Sequence, residues 1–555
     1  MILKSTTTAL LAVTSVVVMA PASTMEPLVI DTRAPGPVIS RDLFGQFAEH
    51  LGGGIYGGIW VGPDSPIPNV RGIRSDVVAA LRAIKVPVVR WPGGCFADNY
   101  HWRDGIGPAA ARRPRINADW GGVVEPNTFG THEFMDFVGQ IGSEAYIAVN
   151  LGSGTVQEAA DWLEYMTVDP PTALGIERSQ NGHPAPWKIK YVGFGNESWG
   201  CGGALTAQAY VDRMKLYSHF VLNHHPAQKS LTVPEWLARL DPAHPDLSQL
   251  EAAPGAMQRI AVGPDGEDPA YTEAVMKAWH DRAPFFWGLE GLSLHSYTFG
   301  GHFPMVSPAS GFGAAEYAGM LAETLRMEPL IARHSAIMDR YDPQKKIALV
   351  VDEWGAWLKP EPGSNPVFLK QQNSMRDALL AALNLDIFAR HGDRVRMANI
   401  AQMVNVLQSM ILTEGERIIL TPTYHVYAMY VPFHDATLLP VHVDAGTYRS
   451  GQSALPRVDA IAARSTDGSI WLAISNLDPG AAVDIPVQVD GRRPVALTGS
   501  VLAGKHVDSV NSLDDPRAVA PRAYAARASH GSLTVHAEPA SLTVLKIELE
   551  ARPAR

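Results

Sequence analysis

A chain of 555 residues is too long for one small domain and long enough for a large core, so two domains are expected. Its 46 Lys and Arg against 56 Asp and Glu leave a net charge of −10, and no basic run tracks a phosphate backbone, which argues against nucleic acid as a partner. Two cysteines, Cys95 and Cys201, cannot form a disulfide framework, and thirteen Trp with sixteen Tyr suit sugar stacking and an ordinary core equally.

Taken in order, the chain begins like an export signal: Lys4 supplies positive charge, residues 10–19 an apolar run, and Ala20-Pro21-Ala22 a small-residue cleavage site, with the cut placed after Ala22. That run is too short to span a membrane and no later stretch is long enough, so the mature chain is expected to be soluble and exported, periplasmic or secreted. Residues 23–40 carry a short strand at 28–31, followed by Pro35 and Pro37, that could join a later β-domain.

Strand then helix recurs from there. Strand one, 43–49, ends in Glu49-His50 and a Gly52–Gly54 turn, and a helix follows with Ser75 as N-cap and Val77, Val78, Leu81 and Ile84 on one face. Strand two, 86–91, carries Arg90 into the loop Pro92-Gly-Gly-Cys-Phe96; a helix opens near Thr131; strand three, 145–150, ends in Asn150 before a capping box of Thr155 and Glu158. Strand four is a pleated run through Tyr191, Val192 and Phe194 that passes straight into Asn196-Glu197-Ser198. A helix over 207–221 and an aperiodic, proline-spaced segment over 226–256 follow. Strands five (257–262), six (289–297), seven (346–353) and eight (397–402) alternate with helices over 272–279, 315–339 and 369–391. Eight such units predict an α/β fold, a closed (β/α)₈ TIM barrel over 41–430, with an open doubly wound sheet as the competing topology. From 431 to 555, short alternating segments such as 469–474, 483–489 and 541–547, separated by Gly, Pro and Asp turns, predict a C-terminal all-β sandwich, jelly-roll-like.

A Gly-Asn-Glu triplet alone is more often a turn with a solvated Glu. Placing the polar strand ends together changes that reading, because Glu49, Arg90, Asn150, Asn196, Glu197, His295, Tyr297, Glu353 and Gln402 fall at one barrel mouth. Such a ring would repel or desolvate its members unless a ligand used it. Glu197 and Glu353 can face each other there, and a carboxyl pair is what glycoside hydrolysis needs, a gap of about 5 to 5.5 Å implying retention of configuration. His101, His132 and His425 show no metal-ligand spacing, and the reading calls for no metal and no cofactor.

Four motifs in order, Arg90-Trp-Pro-Gly-Gly94, Tyr100-His-Trp-Arg-Asp-Gly-Ile-Gly-Pro108, Gly195-Asn-Glu-Ser-Trp199 and Asp352-Glu-Trp354, resemble glycoside hydrolase family 51, the α-L-arabinofuranosidases, a retaining clan A family. The resemblance implies Glu353 as nucleophile, Glu197 as general acid then base, Asn196 and Glu49 on sugar hydroxyls, Arg90 paired with Glu353, and His295, Tyr297 and Gln402 completing the ring. It implies an arabinofuranose-containing oligo- or polysaccharide as partner and suggests a homo-oligomer. Cys95, where some relatives carry Asn, and Trp354 are expected at the sugar site, whereas Trp60 and Trp102 suit the core as well. Cys201, four residues past Glu197, should share the mouth with Cys95, as a disulfide or as two free thiols. A β-xylosidase or endo-β-glucanase on the same framework, and a non-catalytic carbohydrate-binding protein, are the competing functions.

Overall fold

The computed structural model describes residues 26–169, 171–228, 255–282, 286–301, 303–529 and 532–550. The expected leader over 1–22 and most of the aperiodic segment 226–256 lie outside these residues.

Eight parallel strands close into a barrel in chain order: β1 (Gly45–Phe47), β2 (Val88–Trp91), β3 (Glu144–Val149), β4 (Tyr191–Phe194), β5 (Gln258–Ala261), β6 (Gly291–Thr298), β7 (Ala348–Ala356) and β8 (Val395–Ala401). The ring is sealed by β8 against β1, with Asn399 opposite Gly45, so the open-sheet alternative is excluded. β1, β2 and β4 are buried at every position, as expected of parallel strands covered on both faces. Inside, Val88, Tyr146, Tyr191, Ile260, Val350 and Met397 pack into an apolar plug. The polar residues gather beyond it, at the carboxyl ends of the strands.

Local differences from the sequence reading have identifiable causes. Ser75 is the first residue of its helix and Arg74 is the N-cap, because the buried Arg74 guanidinium is fixed by Asp76 and by the carbonyls of Gly57 and Gly415. The helix expected over 315–339 is two, Ala314–Thr324 and Met327–Tyr341. Pro329 explains the break, since a ring without an N–H is tolerated in a first turn but not in a helix interior. The helix expected from 369 begins at Met375, where Asp377 accepts from the Ser374 backbone N–H at 2.7 Å and closes a capping box.

The C-terminal domain is two facing sheets. One has six strands in the order Thr437–Leu439, Val458–Arg464, Ile470–Asn476, Ser541–Leu549, Pro494–Ala503, Arg522–Arg527. The other has four, and its second is the N-terminal strand Leu28–Ile30, which lies parallel to Val483–Val489 and antiparallel to Val441–His442. Leu28, Ile30, Leu472, Ile485, Val535 and Leu545 fill the space between them.

Helix Met375–Arg390, buried along nearly its whole length, joins the two domains. Its first N–H groups, orphaned by helix geometry, donate to the carbonyls of Ser509 (from Met375, 3.0 Å) and Val507 (from Arg376, 2.9 Å) in a sandwich loop. Near its other end, Asp386 accepts from the Tyr430 hydroxyl at 2.8 Å and adjoins Asp459 of the sandwich, whose carboxylate takes Arg390. Burial, then the charge of Asp459, hold the Asp386 carboxyl well above the usual range, so the fold favours its neutral form. A carboxyl with a raised folded pKa contributes most at low pH and loses that contribution as pH rises. Asp386→Asn should therefore raise the melting temperature at pH 8 by roughly one to two degrees and leave it unchanged below pH 4, as measured by calorimetry.

Candidate active site

The barrel mouth is built from strand ends, and the buried Arg90 guanidinium on β2 stands at its centre. Its Nη1 lies 3.0 Å from Glu353 Oε2, its Nη2 donates to Asn196 Oδ1, and its Nε is 3.5 Å from Asp352 Oδ2. The guanidinium also lies over the Phe47 ring, 4.6 Å from the centroid. Asp352 and Glu353 are sequence neighbours that both face this cation. Strict strand alternation forbids that, but the β7 register shifts against β6 between Ser293 and His295 and against β8 between Val351 and Trp354, which turns both carboxylates inward.

Glu353 also accepts from the Tyr297 hydroxyl at 2.7 Å on Oε1. His295 bridges the acids, with Nδ1 2.9 Å from Glu197 Oε1 and 3.6 Å from Glu353 Oε2, and Nε2 3.3 Å from Asp352 Oδ1. Burial alone would lower its pKa; Glu353, Asp352 and Glu197 outweigh that and raise it to about 10, so a proton is retained within this cluster at neutral pH. Asp352 shows the converse: burial opposes its charge, but Arg90, His295 and Ser293 bring it down to about 2. It further accepts from the Tyr146 hydroxyl at 2.8 Å. The facing atoms of Glu197, His295 and Glu353 all lie within 4.8 Å of one another.

Glu197 sits where β4 turns sharply, with φ +38°, a left-handed conformation that a non-glycine residue adopts at a cost of about 1 kcal/mol or more. The loop is held there by Asp98, which accepts from the backbone N–H groups of Asn196 (2.8 Å), Leu151 (2.7 Å) and Gly152 (2.7 Å). The Glu197 carbonyl accepts from the Gly200 and Gly202 N–H groups at 2.7 and 3.1 Å. Cys95 and Cys201 form a disulfide joining the loops after β2 and β4, and Cys201 Sγ is 3.7 Å from Glu197 Oε2.

Glu49, at the end of β1, closes the far side. It accepts from the Phe96 N–H (3.1 Å), the Trp120 indole (2.9 Å) and the Gln402 amide (3.1 Å). Burial, then the nearby Glu353 charge, push its pKa up to about 8 against those donors. Gly93 is needed beside it, since a Cβ there would meet Glu49 Cγ at 2.9 Å.

Glu49, Arg90, Asn196, Glu197, His295, Tyr297, Glu353 and Gln402 thus converge, and Cys95 borders them. Trp354 does not belong: it is fully buried and its ring meets Phe388 of helix Met375–Arg390 edge-on at 5.2 Å, on the outer side of β7. Trp60 packs on Phe129, and Trp102 is core, stacked on Trp162. Asn150 serves its own loop, accepting from the Ser153 and Gly154 N–H groups. Sequence reasoning missed Asp352, Asp98 and Trp120. The Asp-Glu pair was a visible signal for the first, whereas Asp98 and Trp120 come from aperiodic loops that carry no signal.

Two carboxyl groups this close, one bonded to a guanidinium and a phenol and the other to His295, can serve as nucleophile and proton donor at one acetal centre.

Comparison with known proteins agrees with this geometry. Residues 80–241 match the "Alpha-L-arabinofuranosidase 1 domain" and residues 352–541 the "Alpha-L-arabinofuranosidase C-terminal domain". A Bacteroides ovatus protein named an intracellular exo-alpha-L-arabinofuranosidase is 40% identical over 92% of this chain and 93% of its own. The GH51 arabinofuranosidase structure from Xanthomonas axonopodis pv. citri is 47% identical, covers 94% of this chain and 100% of its own, and superposes with a TM-score of 0.85. The Thermotoga maritima α-L-arabinofuranosidase, solved as an arabinose complex, is 30% identical over 94% of this chain and 100% of its own, with a TM-score of 0.77. The B. ovatus relative, named intracellular, overturns the expectation of an exported enzyme, and with it the support for a cleaved leader. By overall likeness and by both domain matches, the chain belongs to glycoside hydrolase family 51, the α-L-arabinofuranosidases.

Proposed function

We propose that this chain is a retaining, exo-acting α-L-arabinofuranosidase that releases terminal α-L-arabinofuranosyl residues from arabinan, arabinoxylan or their oligosaccharides. The observation that supports the reading is the approach of Glu197 and Glu353, each with a carboxylate oxygen within 4.8 Å of the other beside His295, a closeness that suits direct attack by one of them. Arg90 and Tyr297 hold the Glu353 carboxyl group in place through one hydrogen bond to each oxygen. On this reading the Glu353 carboxylate bonds the anomeric carbon as the glycosidic oxygen leaves with a proton from Glu197; water then gives a proton to Glu197 and bonds the same carbon, breaking the ester to Glu353 and freeing arabinose. On the same reading Asn196, Glu49 and Gln402 bind furanose hydroxyls. The family resemblance suggests a homo-oligomer, and light scattering of the purified chain tests whether one forms.

Glu353→Ala should lower kcat on 4-nitrophenyl α-L-arabinofuranoside by about four orders of magnitude or more with an unchanged circular dichroism spectrum, and near-normal turnover overturns the assignment. Glu197→Ala should slow oligosaccharide cleavage by about 10²- to 10⁴-fold but affect activated aryl arabinosides far less, because a good leaving group needs little proton assistance. A panel of nitrophenyl glycosides separates this activity from β-xylosidase action.

His295 supplies a test by pH. Its folded pKa of about 10 lies above the unfolded value, so its stabilisation is complete below about pH 6.5 and is lost as pH rises towards 10. His295→Gln should flatten the fall in melting temperature across that window; an unaltered slope counts against a raised His295 pKa.

A further inference from the structure

The disulfide between Cys95 and Cys201 joins two loops at the mouth, and no step of the mechanism uses it. Its surroundings carry a second chemistry. Cys95 and Glu197 are half-buried and Cys201 is exposed, so the bond faces solvent, the condition under which a disulfide is open to reduction. The two sulfurs and one oxygen of Glu197 all lie within 4.8 Å of one another, with Cys201 Sγ 3.7 Å from Glu197 Oε2. The other oxygen, Oε1, is engaged by His295 at 2.9 Å, which leaves Oε2 turned to the sulfurs.

Two thiolates and a carboxylate are a donor set for a thiophilic divalent cation. Tetrahedral bonds of about 2.3 Å to sulfur and about 2.1 Å to oxygen put a sulfur about 3.6 Å from the oxygen and about 3.8 Å from a second sulfur. The first spacing is already present in the fold. The second needs only that the sulfurs be freed from their bond, since the two Cα atoms are 5.5 Å apart and side-chain rotation opens the gap. Two small-molecule thiols supply the electrons: their sulfurs join as a disulfide, and their two protons pass to the cysteine sulfurs. Metal binding then releases both protons, because each sulfur coordinates as thiolate. Reduction does not part the loops, because Asp98, three residues beyond Cys95, still accepts from the Asn196 N–H at 2.8 Å. A rival set, Glu197 with His295 and Glu353, is equally close, but Arg90 stands 3.0 Å from Glu353 and repels a second cation there.

We propose that Cys95 and Cys201, once reduced, join Glu197 in a three-ligand site for Zn²⁺ that takes the proton donor out of the reaction. The proposal rests on the hydrolase reading above. The oxygen that must pass a proton to the leaving group is bound to the metal instead, so the enzyme works with the bond intact or with zinc scarce and stops when it is reduced in the presence of the ion.

The test reduces the full chain with a phosphine, removes the reductant, and follows arabinose release from an arabinofuranosyl-substituted oligosaccharide as Zn²⁺ is added. The reduced chain should bind about one Zn²⁺, lose about 10²-fold or more of its turnover and regain it with a chelator, while the oxidised chain keeps its turnover at the same Zn²⁺ concentration. Co²⁺ in place of Zn²⁺ should give the reduced chain a thiolate-to-metal charge-transfer band, a readout independent of hydrolysis. Cys201→Ser should lose that band and lower the inhibition at equal Zn²⁺ at least about tenfold. Equal inhibition of the oxidised chain assigns the ion to Glu197, His295 and Glu353 and overturns the proposal, as does a reduced chain without the cobalt band or a Cys201→Ser chain inhibited as strongly as its parent. No arabinose release by the oxidised chain, with the cobalt band present on reduction, overturns the hydrolase reading and the inhibitory role but leaves the metal site standing.

Discussion

A guanidinium buried among carboxylates constrains everything around it. Taking Arg90 out of water costs several kcal/mol, which is offset here by Glu353 and Asp352, by the Asn196 carbonyl and by the face of Phe47. Those partners come from β1, the β4 loop and β7, elements far apart in sequence. The bonds form only if all three strand ends reach the same height, so the barrel register and the site geometry are one constraint.

Within that constraint, two chemically identical side chains acquire different surroundings. Glu353 receives a permanent cation and a phenol, whereas Glu197 bonds the His295 ring and borders a disulfide. The third carboxyl, Glu49, is set back behind a glycine turn, where desolvation and the Glu353 charge favour its neutral form. Differential environment, not residue type, assigns the work.

Much of this was legible in the sequence because apolar strands ending in charge announce themselves. Glu49, Glu197 and Glu353 each stop a buried run, and strand counting alone put them at one mouth. Trp354 misled because adjacency to Glu353 suggested shared exposure, while a register shift turned Asp352 inward and left the indole against Phe388. Asp98 was opaque for a different reason: its importance lies in three backbone N–H groups of other loops, which no linear pattern encodes. The break before Pro329 was visible but was outweighed by the helical periodicity on either side.

The placement of Leu28–Ile30 bears on how the chain reaches its folded form. This strand is the second in its sheet, clasped between Val441–His442 and Val483–Val489, so the sheet cannot be assembled until the whole barrel segment has been made. During synthesis the barrel strands can pair with near neighbours in order, but the first strand must wait for partners at the other end of the chain. Completion of the sandwich is thus the late step. Because a loop of that domain caps helix Met375–Arg390, which packs behind β7, the last part to assemble also steadies the strand that carries Glu353.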